Sequence, residues 1–247
     1  MKKTVDRGTL KKTADGRFGE RRNIGRREAI GALGAAGAAL ALGCGSGVSA
    51  SPSTPSPAPT GGNSTCAVTP NETVGPFPSL TDMFRSDIRD GKPGTPLTLT
   101  LRVVNASNAC SPVAGANVEI WHVDAAGNYS QYGSQAGQAF LRGIQATDVN
   151  GSVTFTTIYP GWYQGRATHI HIEVTVSGRS VKATQIAFAE SVNAAVHGTG
   201  IYASRGQNPL ANTADGIFAD SLSAEIVTPA GSPGSGYAAS FQIGVAL

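Results

Sequence analysis

The chain has 247 residues, 40% of them apolar and 14% charged, with 32 Gly and 14 Pro, a composition that supports a buried core and favours many turns over long helices. Its formal charge of +3 sits in the first fifty residues, which hold ten Lys or Arg against four Asp or Glu and leave the remainder at about −3. The nine basic residues of that remainder are scattered singly, which excludes the basic stripe needed to neutralise a phosphate backbone and removes nucleic acid as a partner.

The chain opens on an address. Arg26-Arg27 precede an uncharged Ala-, Gly- and Leu-rich stretch from Ala29 to Gly43, the order expected of a twin-arginine export signal. That stretch falls short of the roughly 20 apolar residues that span a bilayer. Leu42-Gly43-Cys44 resembles a lipoprotein cleavage site, which would tether the body to a membrane through lipidated Cys44, whereas Val48-Ser49-Ala50 offers an ordinary small-residue site. The two predict different anchoring. Residues 51–64, SPSTPSPAPTGGNS, cannot build a core and read as a disordered linker. The expected organisation is a leader over 1–50, a linker over 51–64 and one folded domain over 65–247. Cys66 and Cys110 both fall at turn-like positions of that domain, where export favours a disulfide over two separate thiols.

Along the body, Leu97 to Asn105 alternates apolar and polar residues and predicts a half-buried strand. Asn117 to Val123 predicts a second strand, after which Asp124 to Gly127 turns the chain into Tyr129. Gly143–Thr147 and Ser152–Ile158, divided by Asp148 to Gly151, predict a hairpin. His169–Val176 and Lys182–Phe188, flanking Ser177-Gly178-Arg179, predict another. Short helices are expected near Thr81–Arg85 and Ser191–His197, and a last strand near Ala238–Val245. Strands at this spacing, with no long amphipathic crossover helix between them, predict an all-β fold, an antiparallel β-sandwich with long loops and few short helices.

The densest chemistry lies in Tyr159 to Glu173, YPGWYQGRATHIHIE. Side chains two apart on a strand share a face, so His169 and His171 present both imidazoles together while Ile170 enters the core. His-x-His alone suits zinc, copper or iron equally. The Pro160-Gly161 turn can bring Tyr163 back over the start of the same strand, adding a third donor. A phenol ionises at neutral pH only beside a strong positive charge, and two phenolates with two neutral imidazoles suit ferric iron better than the ferrous two-His, one-carboxylate pattern. His122, in an apolar strand, and His197, alone in a loop, read as packing residues.

The run PGWYQGRATHIH, with the upstream EIWHVDAAGNYS, resembles the intradiol dioxygenases, which include catechol, hydroxyquinol and protocatechuate dioxygenases. The resemblance begins at TPNETVGPF (Thr69 to Phe77), continues through DIRDGKPGTPL (Asp87 to Leu97), and reaches TQIAF (Thr184 to Phe188). It implies a sandwich of the intradiol type holding Fe(3+) through Tyr129, Tyr163, His169 and His171, with Tyr132 and Tyr159 outside the motif frame. It implies a catalytic role for Arg166 against developing ring charge, and for Tyr163 as the ligand that yields to substrate. Gln185 falls near a polar position that supports the site. The implied reaction adds both atoms of O2 to a catechol-type ring between its hydroxyl-bearing carbons. The chain lacks the helical segment that catechol dioxygenases carry ahead of the catalytic body and use to dimerise, so a monomer or a different assembly is expected. Two rivals remain open on residues alone. An exported sandwich that only binds ligand, transthyretin-like or carbohydrate-binding, explains the leader and linker equally well, but not the Tyr, Tyr, His, His frame with Arg166. An exported zinc hydrolase would use the same His pair, but no carboxylate at helix-type spacing accompanies it.

Overall fold

A computed structural model describes residues 66–247; the leader, Cys44 and the linker lie outside the described residues. Ten strands form two five-stranded sheets. The first sheet is built around β1 (Pro96–Asn105), which pairs antiparallel with β5 (Ser152–Ile158) and β2 (Ser111–Pro112) on one side, and parallel with β10 (Gly236–Val245) on the other. β9 (Ala230–Ser232) closes the far edge against β10. The second sheet runs β4 (Arg142–Ala146), β3 (Asn117–Trp121), β6 (His169–Val176), β7 (Arg179–Phe188) and β8 (Ile226–Val227). Pairing in the sandwich is mainly antiparallel, as the alternating sequence predicts, with β1–β10 and β7–β8 as parallel additions.

The alternation places Leu97, Leu99, Leu101 and Val103 of β1 against Ile170, Ile172 and Val174 of β6, with Phe155 and Phe241 also buried between the sheets. Such large apolar side chains contribute about 1.5–3 kcal/mol each on burial and hold the two layers together. Because Ile170 and Ile172 face inward, His169 and His171 must face outward from the second sheet.

Three local expectations meet different outcomes. The β6–β7 hairpin forms in the predicted place, with Ser177 and Gly178 both at positive φ in its turn. β4 and β5 do not pair as a hairpin: β4 joins β3 and β5 joins β1, in opposite layers. Asp148 Oδ1 accepts the backbone N–H of Asn150 and of Ser152, each at 2.8 Å, so the turn residues close on themselves and hand the chain from one sheet to the other. No helix forms over Thr81–Arg85, because Phe84 bridges to Ile144 and the Arg85 N–H bonds the Ile144 carbonyl, keeping the segment extended along β4. A short helix, α1 (Glu190–His197), follows β7, and a second, α2 (Leu222–Glu225), precedes β8.

Residues 66–79 form a strap that starts against β10 of the first sheet and crosses β7 to the His171 side of the second. The structure joins Cys66 to Cys110 in a disulfide. From there Thr69 exchanges two hydrogen bonds with Gly244, the Glu72 N–H bonds the Ala183 carbonyl, and Lys182 Nζ, at the side, donates to Thr69 O and Asn71 Oδ1.

Candidate metal centre

His169 begins β6, and the strand's period of two sets its imidazole beside that of His171. Their Nε2 atoms face one another at 3.1 Å. His169 Nδ1–H donates to the Ala167 carbonyl at 2.6 Å, which leaves Nε2 as its free lone pair. His171 stacks on Trp121, its cross-strand neighbour, with ring centroids 4.8 Å apart and planes within 2°. Burial, together with the Arg166 guanidinium, pushes His169 down to about 3, and burial beside His169 holds His171 well below the usual histidine range. Both rings are therefore neutral donors at ordinary pH.

The two tyrosines arrive on separate loops that touch. Tyr129 follows the Asp124–Asn128 turn, whose backbone N–H groups at Ala126 and Asn128 bond Asp124 Oδ1. Gly127 in that turn has φ +84°, and a Cβ built there would lie 2.3 Å from the Trp162 carbonyl oxygen. Gly161, in the loop carrying Tyr163, lies as close to the Asp124 carbonyl, 2.4 Å from its ideal Cβ. Two glycines thus let the tyrosine loops pass backbone to backbone. The Tyr129 hydroxyl reaches 3.4 Å from His169 Nε2, and the Tyr163 ring lies edge-on to Tyr129 and His169 at 5.7 and 5.6 Å. Burial, and then the neighbouring Tyr163, push the Tyr129 phenol well above its ordinary range.

Tyr129, Tyr163, His169 and His171 are therefore brought to one place, while Tyr159, His122 and His197 are not. Tyr159 donates to Asn193 in the core; His122 bonds Val123 O and Thr157 Oγ1; His197, at the end of α1, faces Pro160 O. Tyr132 lies nearby but spends its hydroxyl on the Pro78 carbonyl. Among the described residues no three His, Cys, Asp or Glu gather as a metal site, so a cation at the His pair must draw on the phenols. The donor set fits a highly charged cation: neutral imidazoles aim free lone pairs at one point, and the buried Tyr129 phenol needs strong positive charge to ionise.

Arg166 stands beside these donors. Its Nε donates to Asp215 Oδ2 at 2.9 Å and its Nη2 to Gln185 Oε1 at 2.6 Å, while Gln185 in turn donates to the Thr73 carbonyl of the strap. The strap brings Gly75 against His171 and stacks Phe77 on Tyr129 at 4.8 Å. A cavity of about 220 Å³ opens beside the two tyrosines, walled by Phe77, Tyr132 and Gln135 among others.

Sequence reasoning missed two residues here. Arg142 is fully buried, donates to Ser130 Oγ, Ser130 O and Phe77 O, and sits 5.6 Å from the Tyr129 ring centroid. Asp215 holds Arg166. Each is a lone charge outside the motifs it serves, 12 residues from Ser130 for Arg142 and 48 from Ala167 for Asp215, so no spacing rule reaches it.

A two-sheet sandwich with a His/Tyr cluster on its outer face defines the class of protein. Residues 76–205 match the model of the dioxygenase family. The structure superposes on an intradiol ring-cleavage dioxygenase from Tetranychus urticae with a TM-score of 0.69 at 30% identity, covering 73% of this chain and 95% of that one. Among curated relatives, a chlorocatechol 1,2-dioxygenase of Rhodococcus opacus is 29% identical over 121 residues, 41% of this chain and 46% of the relative. A catechol 1,2-dioxygenase of Candida albicans is 36% identical over 98 residues, 32% of each chain. The chain thus spans less than half the length of these curated relatives. It belongs to the intradiol dioxygenase family.

Proposed function

We propose that this protein is a Fe(III)-dependent intradiol dioxygenase that opens a catechol-type ring between its two hydroxyl-bearing carbons, adding both atoms of O2 to give a cis,cis-muconate-type diacid. The observation that carries this reading is the convergence on His169 Nε2, which lies 3.1 Å from His171 Nε2 and 3.4 Å from Tyr129 Oη, with the Tyr163 ring edge-on alongside. Tyr129, Tyr163, His169 and His171 would hold the iron, which supplies Lewis acidity and electron-accepting capacity.

The chain's own groups do the rest. Tyr163 is the less buried of the two phenols, so it is the one free to leave the cluster and take a substrate hydroxyl proton on its Oη. Arg166 has Nε and Nη2 engaged and presents Nη1 without a protein partner among the described residues. That group places positive charge where negative charge grows on the ring. Phe77 and Tyr132 wall the approach and limit water around the reacting centre. The twin-arginine leader supports export of the enzyme, secreted or tethered through Cys44.

The test is purified, iron-supplied protein. We expect a red to burgundy colour from phenolate-to-ferric charge transfer, and oxygen uptake with at least one of catechol, hydroxyquinol, protocatechuate or an aryl catechol. A colourless protein inert toward all four would overturn the proposal. Arg166→Leu is expected to lower turnover about 100-fold, as for other lost electrostatic donors, and near-normal turnover would remove its role.

A further inference from the structure

We propose that Asp215 is a positioning residue for this site, a single buried carboxylate that sets the direction of Arg166 and, through the peptide of Ala167, the ring of His169. The inference rests on the reading of the site given above, and extends it to a residue ten positions beyond the family-matched segment.

Asp215 is 1% exposed. Its Oδ2 accepts Arg166 Nε at 2.9 Å and the Ala167 N–H at 2.7 Å, and its Oδ1 accepts the Ile217 N–H at 2.9 Å. Burial pushes this carboxyl up, but the two backbone N–H groups and the guanidinium outweigh it and hold Asp215 below the usual aspartate range. With both oxygens engaged and the side chain buried, the carboxylate serves orientation.

Its own place is set by the framework. Asn212 Nδ2 donates to Phe188 O at the end of β7, and Asn212 N–H to Glu190 Oε1 at the start of α1, at 2.7 and 2.6 Å. Asp215 is therefore the fixed reference and Arg166 the arm it aims. The guanidinium is held on three sides, by Asp215 at Nε, by Gln185 at Nη2, and by the Phe218 ring at 5.8 Å. The same Oδ2 fixes the Ala167 N–H, and the carbonyl on the other side of that residue receives His169 Nδ1–H. One oxygen thus orients both the cation and a candidate metal ligand, the arrangement by which supporting hydrogen bonds hold ligands in register. Without its charge, Arg166 has Glu72 of the strap as another carboxylate in electrostatic range.

The test compares Asp215→Asn, Arg166→Gln and the double variant with the parent, as full-length iron-loaded chains. Asp215→Asn is expected to keep iron content within about twofold while kcat falls about 10- to 100-fold and KM changes far less, the pattern of a misplaced catalytic arm. In Asp215→Asn the side-chain oxygen can still accept the Ala167 N–H and so spare His169, and the double variant is therefore expected to be no slower than Arg166→Gln alone. Fully multiplicative losses would overturn the proposal, as would near-parental kcat in Asp215→Asn. A second measurement needs neither turnover nor a folded variant: in protein loaded with gallium(III), the parent Arg166 Nε–H should exchange with solvent at least about tenfold more slowly than that of exposed Arg205. Free exchange at Arg166 overturns the inference by itself. A parent that holds no iron and consumes no oxygen would instead sink the enzymatic reading, and a protected Nε–H in the metal-free parent would then still show Arg166 held as its partners Asp215 and Gln185 require.

Discussion

At the scale of single residues, the outer face of the second sheet concentrates groups whose charge states the fold controls. Glu225 lies fully buried beneath the strap, accepting Thr184 Oγ1 at 2.9 Å and Ser221 Oγ at 2.5 Å. Burial pushes its carboxyl up to about 7, against those two hydrogen bonds, with Glu72 and Asp220 adding like charge and Lys182 as the nearby cation. A glutamate raised in the folded state binds a proton more tightly than in the unfolded chain. Below the unfolded value of 4.5 both states are neutral and folding is unaffected; as pH climbs toward 7 the folded state loses stability, and above 7 the loss is complete. Glu225→Gln should therefore stabilise the protein by on the order of 2 kcal/mol near pH 8 and by almost nothing near pH 4. Urea midpoints at the two pH values measure it, and an equal gain at both would refute the assignment.

At the scale of elements, the site depends on two loops that can approach only because glycine stands at each crossing. Gly127→Ala would demand positive φ of an alanine and drive its methyl into the Trp162 carbonyl, a strain of about 2 kcal/mol. We expect weaker iron retention along with the lower melting temperature, since the displaced loop carries Tyr163; full iron content after dialysis against a chelator would count against this. The elements were legible in the sequence where one period ran uninterrupted, as in β1, β10 and the β6–β7 hairpin. They were misread where the turn chemistry of Asp148–Gly151 was compatible with both a hairpin and a change of layer. The helix expected at Thr81–Arg85 failed because a neighbouring strand offered its backbone partners. The His pair and Tyr163 were legible because they fall within nine residues, and Tyr129 because the motif around it resembles the family's, whereas Arg142 and Asp215 lie outside those motifs and act across 12 and 48 residues to Ser130 and Ala167.

At the scale of the whole molecule, the strap is fastened at its far end by the Cys66–Cys110 disulfide, which spans 44 residues. Closing a loop of that length restricts the unfolded chain enough to contribute about 4 kcal/mol in the entropy model. Reduction, or Cys66→Ser with Cys110→Ser, should therefore lower the urea midpoint markedly, and should speed iron loss because Gly75 and Phe77 lie on the centre. A midpoint unmoved by reductant would show that the strap's hydrogen bonds hold it unaided. The longest reach, however, belongs to β1 and β10, paired in register from Leu97–Tyr237 to Asn105–Val245. A ribosome must deliver the roughly 130 residues between them before β1 gains this parallel neighbour, so the nascent polypeptide carries an unfinished apolar layer, paired on one side only, until β10 emerges. Such a chain closes late, because contacts of long sequence separation form slowly.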